Sequence, residues 1–186
     1  MATPDSRLLE RAREDDSQAL AEIYDRYAES IYRYLYRYVG DAAQAEDLTS
    51  EVFLKLLQVL NTPRAPGDHL QGWLYRVAHN QAMDWFRRQK KNVSASLEDR
   101  PDGHPELVAV DDSPLISLER RQSQQQLREA IRQLTTDQQR VILLRFGEGL
   151  KCRQVAELMG KSEGAIKILQ HRAIKRLHKL LHGEEK

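Results

Sequence analysis

From residue 17 onward the apolar positions recur in threes and fours. Leu20, Ile23, Tyr24, Tyr27, Ile31, Leu35 and Tyr38 fall on one helical face after a capping Ser17, which predicts one long amphipathic helix ended by Gly40. Asp41 is placed to cap a second helix, with Ala45, Leu48, Val52, Leu56 and Val59 as its stripe, until Pro63, Pro66 and Gly67 impose a loop. A third helix is expected from Asp68. Its stripe is Leu70, Trp73, Leu74, Val77 and Ala78, and it continues through Trp85 into Arg87, Arg88, Lys90 and Lys91. No strand-like alternation competes in this half.

Residues 94–118 break the pattern with Pro101, Gly103, Pro105, Pro114 and scattered acids, the texture of a linker. The helical period resumes from Leu118 to Leu134. A Thr135-capped helix follows, in which Val141, Ile142, Leu144 and Arg145 precede Gly147 and Gly149. Cys152 to Met159 reads as a short helix, Gly160 and Lys161 as a tight turn, and Ser162 as the cap of a helix reaching Leu181. Two helices joined by a short glycine-containing turn form the helix-turn-helix pattern, although the same pattern describes a plain helical hairpin. The fold class is therefore all-α: two small helical domains, 1–92 and 119–186, joined by an acidic flexible linker, 93–118.

Composition narrows the class. The 186 residues carry 29 Lys and Arg against 28 Asp and Glu, and the mean hydropathy is −0.67; no apolar run approaches the roughly 18 residues of a membrane span. Residues 1–11 lack the apolar core of a secretory signal. Cys152 is alone, so neither a disulfide framework nor a cysteine-rich zinc site is available. A reducing, cytoplasmic location is the expectation. Near-neutrality hides an uneven distribution, with 13 basic against 14 acidic residues in 1–92, one against six in 93–118, and 15 against eight in 119–186. A basic final third attracts phosphate backbones through counterion release.

Several side-chain groups carry candidate chemistry. If Ile166, Leu169, Ala173, Leu177 and Leu180 pack inward, the last helix shows Glu163, Gly164, Lys167, Ile168, His171 and Lys175 on its other face. Its first turns suit base edges and thymine methyls, while Arg172, Lys175, Arg176 and Lys179 suit phosphates. Trp73, Tyr75, Arg76, Asn80, Trp85, Phe86, Arg87 and Arg88 interleave aromatics with cations on the third helix, a composition that can stack and hold unpaired bases; Trp73 and Trp85 at helical spacing are more often core residues than stacking platforms. Glu46, Asp47 and Glu51 beside Lys55 form an acidic face suited to a basic protein partner, with no histidine or further acid at metal-ligand spacing. His171, His178 and His182 follow no metal motif. No phosphate loop, nucleophile elbow or cofactor motif is present, so no catalytic residue, metal or cofactor is assigned.

Together these segments resemble the extracytoplasmic-function group of the bacterial sigma-70 family. AEDLTSEVFLKLL, 45–57, is similar to the region 2 helix that docks on core RNA polymerase. GWLYRVAHNQAMDWFRRQKK, 72–91, is similar to the helix that melts and reads the promoter −10 element. The segment 134–177 is similar to region 4, whose helix-turn-helix reads the −35 element. The resemblance implies a non-enzymatic sigma factor that binds the beta and beta-prime subunits and promoter DNA, takes no small-molecule substrate, and is restrained by an anti-sigma factor. It assigns Asp47, Glu51 and Phe53 to polymerase docking, with Phe53 helping to anchor the helix. Asn80, with the loop 61–69, would capture a flipped −10 base, and Arg76, Arg87 and Arg88 would hold the opened strand. Ser162, Lys167, Ile168, His171, Arg172 and Lys175 would meet the −35 duplex.

The chain departs from the family at Ser50, commonly Gln; Ala165, commonly Thr; Ile168, commonly Ser; Gln154, commonly Glu; and Cys152, commonly aromatic. Ile168 favours a thymine methyl over a hydrogen bond, and the loop before Asp68 lacks its customary aromatic. The acidic linker is expected to thread the polymerase's basic channels. Two rival readings are a stand-alone helix-turn-helix regulator, which leaves the helix of Asp47 to Phe53 and the Trp/Arg helix without a role, and a metal-dependent nuclease using Glu46, Asp47 and Glu51.

Overall fold

A computed structural model describes residues 4–67, 69–95 and 114–183, with side chains for 5–67, 69–89 and 121–183. Among these residues every regular element is helical, and no helix is long and apolar enough to cross a membrane. Residues 96–113 of the expected linker 93–118, with all six of the acids assigned to polymerase channels, and the side chains of Lys90 and Lys91 lie outside the described residues.

The first helix, α1 (Pro4–Arg13), was not expected from a segment with only two leucines. Leu8, Leu9 and Ala12 are nonetheless buried, because these three positions share one face. Asp5 fixes that face by accepting from the Tyr27 hydroxyl at 2.7 Å and from Arg26 at 3.1 Å.

The cap of α2 (Ser17–Val39) is Asp16, not Ser17: its carboxylate accepts the Gln18 and Ala19 amides at 2.9 and 3.2 Å. Arg11 holds that carboxylate at 2.7 Å, so the acid, not the hydroxyl, is positioned to meet the orphan amides. Ile23, Tyr27, Ile31, Leu35 and Tyr38 are buried as the period predicts, whereas Tyr24 is 48% exposed and leans on Phe53 with ring centroids 4.8 Å apart. Gly40 ends α2 in the left-handed region at φ +82°, which glycine adopts without strain. Asp41 caps α3 (Ala42–Val59) through the Gln44 amide at 2.8 Å, and its whole expected stripe is buried. After the loop, α4 (Leu70–Ala95) buries Leu70, Leu74 and Ala78 with Tyr75 and His79.

In the second half, α5 (Pro114–Arg132) leads to α6 (Thr136–Ile142), where Thr135 and Gln138 form a reciprocal capping box. The expected run to Gly147 does not stay α-helical. It ends in a π-helical turn, Leu143–Gly147. The helix-turn-helix is as read: α7 (Cys152–Met159), Gly160 at φ +62°, and α8 (Glu163–His182) capped by Ser162.

One apolar core runs through α2, α3 and α4 into α6, α7 and α8. Polar contacts close the junction. The Tyr38 hydroxyl donates to Gln139 Oε1 at 2.7 Å, Arg132 donates to the Tyr38 and Val39 carbonyls at the end of α2, and Glu148 accepts from Arg33 and Arg37. Gly72 lies so close to α7 that a Cβ would sit 2.8 Å from the Leu158 carbonyl oxygen.

Candidate nucleic-acid and protein interfaces

Ser162 starts α8 by accepting the Ala165 amide at 3.2 Å, and that cap sets which residues of the helix turn inward. Ile166 and Ala173 are fully buried, and Leu169, Leu177 and Leu180 are half-buried. The opposite face is open: Lys167, His171, Arg172 and Lys175 are exposed, and Ile168 keeps 54% of its surface. Lys167 pairs with Glu163 at 2.8 Å. Their hydrogen bond raises the lysine pKa and lowers that of the carboxyl, but both ends are in water, where such a pair contributes little stability. Arg145, carried by the π-turn, donates to Gln170 at 2.9 Å and to the Leu150 carbonyl, tying α8 to the loop before α7. Cys152 is half-buried beside the same Gln170, Sγ 3.7 Å from Oε1, the place of a packing residue.

On α4 the aromatic and cationic cluster divides. Arg76 and Asn80 are exposed and Trp73 half-buried, and with Lys55 and Arg64 they line a cleft of about 550 Å3. Trp73 and Arg76 also wall an adjoining cavity of about 450 Å3, bounded by the loop residues Pro66 and His69 and by Glu157 and Met159 of α7. The loop 61–69 and Asn80 therefore flank Trp73 and Arg76. Tyr75 and Phe86, expected among the stacking residues, turn inward instead. Tyr75 is 2% exposed and meets the Tyr34 ring at 5.3 Å; Phe86 meets Tyr38 at 5.5 Å and carries the Arg132 guanidinium 4.0 Å from its centroid. Their positions on the buried side of α4 decide this, since an aromatic that finds an apolar pocket is more stable there than in water. Trp85 is half-buried against Phe86. Arg87, paired with Asp84 at 2.8 Å, and Arg88 are exposed about two turns beyond Asn80.

Asp47 and Glu51 share one face of α3 with Leu54, at positions i, i+4 and i+7. Asp47 is exposed, Glu51 half-buried, and Leu54 56% exposed, giving an apolar contact flanked by carboxylates. Phe53 points inward at 9% exposure. Sequence reading passed over Leu54, although its spacing from Asp47 takes it out of the buried stripe. Among the described residues no group of three or more His, Cys, Asp or Glu side chains could hold a metal ion.

Two further features escaped the sequence. An apolar groove of about 470 Å3 runs between α5, the π-turn and α8, lined by Leu127, Ile131, Phe146, Ile174 and Leu177, with Phe146 59% exposed. His79 is wholly buried, its Nδ1 2.9 Å from the Tyr34 hydroxyl and its Nε2 without a partner. Burial lowers its pKa to about 4.

Residues 23–92 match the family described as Sigma-70 region 2, and residues 124–177 the family described as Sigma-70, region 4. The chain is 38% identical over 174 residues to the ECF RNA polymerase sigma factor BldN of Streptomyces coelicolor, covering 94% of this chain and 64% of that protein's length. It is 32% identical over 161 residues to the ECF RNA polymerase sigma factor SigX of Bacillus subtilis, covering 84% of this chain and 80% of that protein. A structure of CnrH in complex with the cytosolic domain of CnrY has the same fold, with a TM-score of 0.61 at 18% identity, covering 97% of this chain and 99% of that one. With both sigma-70 regions present in order and a relative of this similarity matched over most of its length, the chain belongs to the extracytoplasmic-function group of the sigma-70 family.

Proposed function

We propose that this sigma factor docks on core polymerase through Asp47, Glu51 and Leu54, with Phe53 anchoring the helix beneath them. In this reading Asn80, the loop 61–69 and Trp73 receive an unpaired base of the −10 element, and Arg76, Arg87 and Arg88 hold the opened strand. Ser162, Lys167, Ile168, His171, Arg172 and Lys175 meet the −35 duplex. The domains are 1–92 and 119–186, joined by 93–118, and the protein works in the cytoplasm, where its polymerase and promoter are. The observation that carries the reading is the open, cation-rich face of α8 directly opposite its buried Ile166 and Ala173. The cleft at Asn80 supports the second contact: it offers an amide and a guanidinium beside a half-buried indole, the chemistry that offsets lost stacking.

One similar solved structure is described as the sigma factor RpoE in complex with the anti-sigma factor NepR. For this chain the apolar groove at Phe146 is the surface with room for an amphipathic helix of such a protein. The test of the whole reading is transcription from a pooled promoter library with and without sigma-free core polymerase. Core-dependent starts sharing −35 and −10 sequences support it. Binding to duplex without core, and no starts with it, would establish the stand-alone regulator instead.

A further inference from the structure

Gly164 has no reason to be glycine within the folded chain. It is the second residue of α8, its φ is not positive, and a Cβ built on it would meet nothing within 4 Å. The other described glycines are mostly accounted for by backbone or packing. Gly40, Gly149, Gly160 and Gly183 adopt positive φ, while a Cβ on Gly72 would strike the Leu158 carbonyl oxygen and one on Gly147 would crowd Arg37 at 3.2 Å. Glycine in a helix is poorer than alanine because it loses more backbone freedom on folding. At position 164 the fold carries that disadvantage with no steric gain inside the molecule. Among the described residues, the only other glycine with ordinary φ and empty space around it is Gly67, in the loop assigned to the −10 base.

The position of Gly164 identifies what lies outside. Residues 164, 167, 168, 171 and 175 follow helical spacing along the exposed face of α8, on the far side from Ile166 and Ala173. Gly164 is thus the bare N-terminal end of the stripe whose other members are Lys167, Ile168, His171 and Lys175. A recognition helix enters the major groove with its N-terminal residues nearest the base edges. There a side chain at 164 would hold the backbone off the groove floor by about the width of a methyl group. The neighbouring carboxylate of Glu163, paired with Lys167, would repel a phosphate but can accept from a cytosine amine, so the base edges rather than the phosphate wall are the surface that Gly164 meets.

We propose that Gly164 is a positioning residue for −35 recognition: its missing side chain lets the first turn of α8 seat against the base edges, so that Lys167 and Ile168 reach theirs. The inference rests on α8 being the −35 reader. It gives two readouts that move in opposite directions. Gly164→Ala adds a better helix former where nothing is crowded, so the melting temperature of the free protein rises by about 1–3 °C. The same change lifts the helix from the groove. Holoenzyme carrying Gly164→Ala then loses roughly tenfold or more in starts from a promoter with its −35 element intact, and its preference for that promoter over one with the −35 element scrambled collapses. A lost base contact is worth a discrimination of this order.

The experiment uses full-length protein with core polymerase and the intact and scrambled promoters, with Gly164→Ser as a second variant and Lys167→Ala alongside. If Lys167→Ala abolishes the preference while both Gly164 variants keep it within about twofold, Gly164 has no positioning role and the proposal is overturned. If none of the three alters the preference, α8 is not the −35 reader and the underlying assignment falls with it. If the Gly164 variants lose activity together with melting temperature, the glycine is structural and the proposal is again overturned. More stable variants that have lost −35 discrimination but retain wild-type affinity for core support it.

Discussion

Glu148 is the acid through which the second half of the molecule grips the first. It follows the π-turn, keeps 4% of its side-chain surface, and accepts from Arg37 and, at 3.3 Å, from Arg33, both on α2. The junction matters because −10 and −35 elements lie about 25 base pairs apart, on the order of 85 Å of duplex. In the structure α7, the first helix of the helix-turn-helix, packs directly on α4, so the −35 reading unit is held against the proposed −10 reader. Reading both elements at once requires the halves to part. The chain permits this, since the stretch from Ala95 to Pro114 can extend to roughly 65 Å.

Glu148→Gln keeps the shape and removes the charge. The guanidinium groups of Arg37 and Arg33 retain 38% and 45% of their side-chain surface, so they rehydrate when the carboxylate is gone, and the full penalty of a stranded buried charge does not apply. What is lost is the charge-assisted part of two hydrogen bonds, about 1 kcal/mol each, reduced by screening to a total of about 1–1.5 kcal/mol. That is a five- to tenfold shift toward the parted state. Energy transfer between labels at the exposed positions Gln58 on α3 and His182 on α8, in a Cys152→Ser background, measures the shift. The melting midpoint should fall by about 2–6 °C. A double-mutant cycle with Arg37→Gln should give a coupling of about 0.5 kcal/mol or more. Unchanged transfer together with strictly additive single variants would refute the argument and leave the junction to its apolar contacts.

Gly72→Ala attacks the same junction sterically: a Cβ 2.8 Å from the Leu158 carbonyl oxygen must push α7 away, and amide exchange across α7 should accelerate while that of α3 does not. Equal exchange in both helices would show that the close approach is slack. Leu54→Asp places a charge on a 56% exposed site, so the melting temperature should hold within about 2 °C while core-polymerase affinity falls roughly tenfold or more; retained affinity would remove Leu54 from the docking face. Asn80→Ala should leave core and duplex binding intact and lower promoter opening, read by permanganate reactivity of −10 thymines, by roughly tenfold. His79 titrates at about 4 when folded against about 6.5 unfolded, so between these values the unfolded chain binds more protons. Its contribution to stability is complete above pH 6.5 and is lost as pH falls toward 4, with about 2 kcal/mol gone between pH 7.5 and 5. Urea unfolding at the two pH values, repeated with His79→Phe, checks this: the variant should lose that part of the pH dependence, and an equal dependence would assign it to other groups.

What the sequence disclosed and what it hid divide along one physical line. Helical period, caps and glycine stops are local, and so α2, α3, α7 and α8 were legible within a residue or so at their capped ends, including the exposed face of α8. Contacts between distant segments leave no period. Nothing around Glu148 announces that it will close on Arg33 and Arg37, more than a hundred residues earlier, and a short segment such as α1 becomes helical because Leu8, Leu9 and Ala12 find a surface to cover. The aromatic cluster on α4 shows how the two kinds of information combine. Its composition indicated stacking chemistry, but only the packing of α4 on α2 could turn Tyr75 and Phe86 inward while leaving Trp73, Arg76 and Asn80 around a cleft. The same packing buries His79 against Tyr34 and Tyr38 of α2 and leaves its Nε2 without a partner. The residues that bind the two halves and those that would read DNA thus share α4, and a change on one side of that helix reaches the other through its packing.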